Sequence, residues 1–366
     1  MNPDTQMPAV AESTAAANHA STSQAITVER WSPVSKTSVI GVIAIQCLLA
    51  LAPFFLGAGT VDRLTTLFIY GILALMWNAL AGYAGLVSVG HQAFFGLGAY
   101  AAIRLAAAGM NPYLALVLAA VAVAILAIPM STFMARLRDS EFAIGMWVIA
   151  ALAHLLVNLD TLVQGETGTS LISLQSYAPA QRRMFTYWLA LGAMAGLAWC
   201  VFGLLRGKVG NALQAIRDNE EAATSIGVRV LPAKQLIFVL SAFGCAMAGA
   251  LWLATVVTFQ PAAYFNVQWT AYMLFMALVG GIGTYEGPII GAVLFFGMET
   301  AFGATGVTYL IGLGLVAVIF ALVLPKGIWG AIETKFGIQL LPVGYRLRSG
   351  EAVFNGLTAG LVRKTK

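Results

Sequence analysis

Charge is scarce in this chain. Asp, Glu, Lys and Arg together make up 10% of its 366 residues, while hydrophobic types make up 60%, a balance that excludes an ordinary soluble globular domain. Cysteine is rarer still. Cys47, Cys200 and Cys245 each lie in a separate apolar run with no paired spacing, which argues against a disulfide framework or a thiolate metal site and leaves them as small core residues. Of the three histidines, His19 falls in a polar tail. No HExxH, GxSxG or CxxC arrangement accompanies the other two, so a hydrolase or metalloenzyme has little to work with. A Walker A loop is missing as well: the nearest string, Gly203 to Lys208, has the wrong spacing and no Ser or Thr after its lysine. The chain therefore has no P-loop of its own and no catalytic residue to nominate.

What is present is a succession of apolar runs, with a mean hydropathy of +0.84. They fall at Thr37 to Gly57, Leu64 to Ala81, Val87 to Ala108, Pro112 to Phe133, Phe142 to Leu159, Phe185 to Leu205, Leu236 to Val257 and Val307 to Leu324. Each is near the length a helix needs to cross a hydrocarbon core. Two shorter runs, Trp269 to Ile282 and Pro288 to Phe302, meet at GGIGTYEGP. These either borrow length from their flanks or form a re-entrant pair, whose Gly- and Pro-interrupted backbone must face protein or a watery cavity. The expected fold is an all-α polytopic membrane protein with about ten transmembrane helices, the alternative being eight plus the re-entrant pair. Residues 1–36 are expected to be a disordered tail, 37–325 the membrane domain and 326–366 a basic tail.

Counted over ten crossings, sixteen of the twenty Lys and Arg residues lie on the side of the N-terminus, and only Arg63, Arg104, Arg182 and Arg183 lie on the other. By the positive-inside rule both tails are cytoplasmic. The basic excess thus reads as orientation in a lipid membrane rather than as a nucleic-acid surface.

The one long polar interruption in the second half is Arg206 to Lys234. On a helical period Ala212, Ala215, Ile216, Ala222, Ala223 and Ile226 share one face and Gln214, Arg217, Asp218, Glu221 and Ser225 the other. That apolar face is too shallow for lipid headgroups, and the polar face carries both signs of charge. A groove on a partner protein fits it, as does a solvated loop helix with no partner.

Polar residues inside the runs are few. Ser88, His91 and Gln92 lie within one turn, beside Phe94 and among Gly90, Gly96 and Gly98; they either bond neighbouring helices or line a substrate path. His154 and Asn158 carry the same ambiguity near the end of the fifth run. In GETGTSL, Gly165 to Leu171, Glu166 could face an ammonium group, with Thr167 and Thr169 offering hydroxyls, or the segment is an ordinary turn. Glu286 and Glu299 are isolated acids without an obvious partner in sequence.

Four strings in order, GLVSVGHQAFFGLGAY from Gly85, FAIGMWVIA from Phe142, GNALQAIRDNEEAATSIGV from Gly210 and GGIGTYEGPIIGA from Gly280, resemble the LivM-type permeases of branched-chain amino acid ABC importers. The resemblance runs from about Leu64 to Gly327. It implies an inner-membrane permease working with a second, LivH-type permease, two cytoplasmic ATPase subunits of LivG and LivF type that bind the ATP, and a periplasmic substrate-binding protein. It further implies that Asn211 to Val228 is the coupling helix docking on an ATPase subunit, through Ala215, Arg217, Asp218, Asn219, Glu220, Glu221, Ala222 and Gly227. Related urea and amide permeases are the alternative within the class. A stand-alone secondary transporter is the alternative outside it, and should carry a coupled-ion site or a polar pore stripe.

Overall fold

Two helices that are apolar all round form the centre, as expected for segments enclosed by other helices. In the computed structural model, which describes residues 27–29, 33–336, 340–341, 343 and 346–348, these are α2 (Ala58–Ala84) and α9 (Val230–Val256). Every α2 residue from Phe68 to Ala84 is buried. Around the pair pack α3 (Gln92–Ala107), α4 (Pro112–Met134), α6 (Pro179–Arg206), α11 (Gln268–Gly280) and α12 (Gly287–Phe302). At the periphery, α1 (Pro33–Phe55), α5 (Asp139–Asn158) and α13 (Val307–Val323) turn large apolar side chains outward, among them Phe55, Leu156 and Leu322. So continuous an apolar belt is stable only against hydrocarbon or another apolar surface.

Eight of the described helices are long and apolar enough to cross a membrane. The two short segments are not the pair that sequence suggested. α12 and the residues after it, Gly287–Thr305, reach full length, whereas α3 has 16 residues and α11 has 13. In the third run the expected helix from Val87 is corrected. Gly85 closes α2 with φ +72, a left-handed cap that favours glycine, and the chain then travels without helix to the turn at His91.

α11 is completed differently. The link from α9 contains β3 (Thr258–Phe259) and α10 (Pro261–Tyr264) and packs over the far end of the bundle, while the turn after α11 reaches the C-terminal end of α2, where Gly283 N–H donates to Asn78 Oδ1 at 2.9 Å. From there α12 returns, and α13 descends again so that Gly327, at the start of α14 (Gly327–Phe336), lies against Gly281. Among the described residues the helices of spanning length thus number eight, with α3 and α11 as the two shorter ones.

Close packing in the centre depends on reciprocal glycines. A Cβ on Gly98 of α3 would fall 2.1 Å from the Ala246 carbonyl oxygen of α9, and one on Gly249 of α9 would fall 1.9 Å from the Phe95 oxygen of α3. Backbones this close maximise dispersion contact, which is what holds helices together in lipid.

The little sheet present clamps loops. β2 (Thr169–Ser170) pairs antiparallel with β3, and β1 (Thr27–Glu29) with β4 (Arg346–Arg348). The second pairing brings residues 27–29 and 346–348 together. Most of the two expected tails, 1–26 and 349–366, lies outside the described residues.

Candidate functional site

The polar interruption folds as two helices, α7 (Lys208–Asp218) and α8 (Glu220–Ser225), lying against the end of the bundle where α2 finishes. A single helix over 211–228 is corrected by Asn219, whose extended backbone (φ −162, ψ 109) breaks the run and whose side chain caps α8 by accepting from Ala222 N–H at 3.0 Å. The signal was in the sequence: Asn followed by Glu220 and Glu221 is an N-cap with acids in the first turn. Gly227, at φ +86, closes α8 while Val228 N–H reaches back to the Ala223 oxygen at 3.0 Å, a left-handed C-cap.

The inner face of the pair is Leu213, Ile216 and Ala223, all buried, with Ala215 half-buried beside them. Asp218, Asn219, Glu221, Ala222, Ser225, Ile226 and Gly227 are exposed. Ile226 thus leaves the inner face expected for it and stands 78% exposed, at the tip that the Gly227 turn creates.

Two ion pairs hold α8, and they differ in kind. Lys234 of α9 meets Glu220 at 2.6 Å, with only 3% of the lysine side chain exposed. Arg138 meets Glu221 at 3.4 Å with both side chains largely exposed, a contact worth little in water. Arg217 points elsewhere. Its Nη1 donates to the Gly82 carbonyl at 2.8 Å, and its Nε and Nη2 donate to Asp218 Oδ1 at 3.1 and 3.0 Å. On one side of it lies a cavity of about 250 Å³ lined by Gly85, Leu86, Arg138, Glu220 and Lys234; on the other, one of about 220 Å³ lined by Tyr83, Gln214, Gly283, Glu286 and Glu333. Burial raises the Glu286 carboxyl above the ordinary range, although Leu341 N–H donates to it at 2.7 Å.

Deeper in the bundle the candidate path residues come together. His91 Nδ1 is 2.6 Å from Ser88 Oγ, its Nε2 is 2.8 Å from Ser241 Oγ, and Ser241 Oγ donates to the Met76 carbonyl at 2.8 Å. Because Ser241 donates its proton to Met76, it accepts from His91 Nε2–H. Gln92 bonds Thr270 of α11 through both its backbone and its side chain. Phe94 is fully enclosed, edge-on to His91 and Phe238. The network joins the non-helical stretch before α3 to α2, α9 and α11, and satisfies polar backbone at membrane depth: Trp77 Nε1 donates to the Ser88 carbonyl at 2.9 Å, as such depth requires.

At the opposite end from α7, Glu166 is already occupied by the chain itself. Its Oε1 accepts from His154 Nε2 at 2.8 Å and Asn158 Nδ2 at 2.5 Å, and its Oε2 from Ala262 N–H at 2.9 Å. Thr167 is exposed beside it and Thr169 lies half-buried in β2. One acid found a partner that sequence did not offer: Tyr70 of α2 donates to Glu299 at 2.8 Å across 229 residues of chain.

A bundle whose outer helices are apolar toward lipid, with a capped, two-faced helix pair fixed to one end, is a multi-pass helical membrane protein. The chain belongs to the branched-chain amino acid transport system / permease component family, whose model matches residues 59–325. It is 27% identical over 69% of its length to the high-affinity branched-chain amino acid transport system permease protein LivM of Escherichia coli, and 28% identical over 66% to LivM of Salmonella typhimurium. These alignments cover 65% and 63% of the relatives' own lengths. A solved metal-chelate type ABC transporter in an inward-facing conformation aligns over 80% of this chain and 99% of its own, at 15% identity and a TM-score of 0.45.

Proposed function

We propose that this chain is the permease subunit of an ABC importer for branched-chain amino acids, and that α7–α8 is where an ATPase subunit docks. The observation that carries the reading is the division of labour on α8. Its inner side is tied to α9 by the Glu220–Lys234 pair, while its outer side presents exposed Ile226 beside Glu221 and Gly227. An apolar knob in a polar rim is the usual form of a protein-docking hot spot. The names of the LivM relatives supply the solute class.

In this reading α7–α8 and both chain ends face the cytoplasm of a bacterial inner membrane, in keeping with the distribution of Lys and Arg. The partners are two ATPase subunits that bind the ATP, a second permease and a periplasmic binding protein. Closure of the ATPase pair displaces α7–α8 and tilts the bundle between its two openings. Ser88, His91, Gln92 and Phe94 meet solute only when the contacts enclosing them part, and Glu166, Thr167 and Thr169 stand at the entrance. Selectivity then rests on the binding protein.

The test is co-expression with the candidate ATPase, second permease and binding protein, purification through this chain, and uptake of labelled leucine into proteoliposomes. ATP-dependent uptake is expected; uptake by this chain alone would establish a secondary transporter instead, and uptake of urea in preference to leucine would move it to the amide branch.

A further inference from the structure

Docking alone does not move a core, and the contacts of Arg217 show where movement would enter it. We propose that Arg217 is the positioning residue through which displacement of α7–α8 reaches α2 and the α11–α12 turn. The inference rests on the docking reading above and names its route inward.

The socket around Arg217 is built from glycines. A Cβ on Gly85 would sit 3.3 Å from Arg217 Cγ, and one on Gly283 would sit 3.1 Å from both Arg217 Nη1 and the Gly82 oxygen. Gly82 is tighter still, since its Cβ would fall 2.5 Å from Gly283 N. One arginine therefore meets the end of α2 and the turn between α11 and α12 with its guanidinium, and the start of the non-helical stretch that leads to His91 with the base of its side chain. Gly85 and Gly283 both have positive φ, +72 and +78, so side chains are disfavoured there by backbone as well as by space.

Behind the socket a chain of hydrogen bonds continues inward. Buried Asn78 of α2 accepts from Gly283 N–H at 2.9 Å and donates to the Thr284 carbonyl at 2.9 Å. Thr284 Oγ1 donates to the Gly281 carbonyl at 2.7 Å, and Gly281 packs on Gly327 at the start of α14. Rigid contacts of this kind transmit a shift rather than absorb it. The two cavities flanking Arg217 give α7 room to travel on either side.

Arginine suits the position better than lysine. Its fork reaches Asp218 with Nε and Nη2 while Nη1 stays on Gly82, an arrangement that an ammonium, a point charge on a flexible stem, does not reproduce.

The experiment uses the full transporter with Arg217→Ala and Arg217→Lys in this chain. Co-purification of the ATPase subunits, ATP hydrolysis and leucine uptake are measured on the same reconstituted preparations. Expected for Arg217→Ala is a fall of tenfold or more in leucine imported per ATP hydrolysed by the subunits that stay assembled, with partial rescue by Arg217→Lys. The inference is overturned if the ratio stays within twofold of wild type in both variants. It is equally overturned if uptake falls only in step with lost ATPase subunits, which would make Arg217 a docking residue, or only in step with lost folded protein, which would make it a structural one. A wild-type chain that neither assembles nor imports would instead sink the docking reading.

Discussion

Lys234 lies 2.6 Å from Glu220 with its ammonium almost wholly enclosed, so the first residue of α8 neutralises a charge buried at the root of α9. Removing one member of a buried pair leaves the other uncompensated. Glu220→Ala is therefore expected to destabilise the bundle by about 3 kcal/mol, the lower end for such pairs because Glu220 keeps some contact with water. Lys234→Met combined with Glu220→Ala is expected to recover most of the loss. Thermal unfolding of the purified chain in detergent measures both; equal midpoints for Glu220→Ala and wild type would mean the pair is not closed in the membrane.

Glu221 and Ile226 stand on the other side of α8 and are expected to respond differently. A charge placed at an apolar docking knob costs about 2 kcal/mol or more, roughly a thirtyfold loss of affinity. Ile226→Asp should thus strip the ATPase subunits while leaving the melting midpoint of the permease within a degree or two. Glu221→Lys should weaken assembly less, since its present partner Arg138 is exposed. Retained assembly in Ile226→Asp would place the docking surface elsewhere.

Gly249 offers a test of the core that involves no charge. A methyl there would sit 1.9 Å from the Phe95 oxygen, and backbone cannot retreat as a side chain can. Overpacking of this kind costs about 1–3 kcal/mol. Gly249→Ala is expected at the upper end, with a lower melting midpoint and reduced folded yield, whereas Gly192→Ala, which meets nothing within 4 Å, should be neutral. Equal behaviour of the two would show that α3 and α9 are not in contact at this height.

The fold was legible where composition alone decides it. Apolar length marked most of the crossings, and the helical period around Asn211 to Ile226 marked a two-faced helix, although as one helix and not the observed two. What stayed hidden was set by backbone geometry or by distance along the chain. Gly85 to His91 has the same composition as a spanning helix, and only the left-handed φ of Gly85 ends α2 there. Glu220 looked like one acid among several because its partner, Lys234, belongs to the next spanning helix. Asn219 carries the chemistry of an N-cap, yet the apolar period continues through it and hides the break. Glu299 could not have been paired by reading, since Tyr70 is 229 residues away.

Glu166 closes the opposite end of the molecule, and its titration is expected to be visible there. Partial burial works against its charge, but donation from Asn158, Ala262 N–H and His154 outweighs this and holds its carboxyl below the ordinary value of 4.5. A carboxylate with a depressed pKa stabilises the fold at all pH above its unfolded value, and the contribution disappears as pH falls through the folded one. The clasp between α5, Gly165–Thr167 and α10 is therefore expected to stay shut from pH 8 down to about the ordinary glutamate value and to open below it. Hydrogen exchange at Ala262 reads this directly, because that amide is bound to the carboxylate. Protection should be flat across the neutral range, fall in acid, and be low at every pH in Glu166→Gln, whose amide oxygen is a weaker acceptor. Should Ala262 lose protection already between pH 7 and 6, a group other than Glu166 would control the clasp.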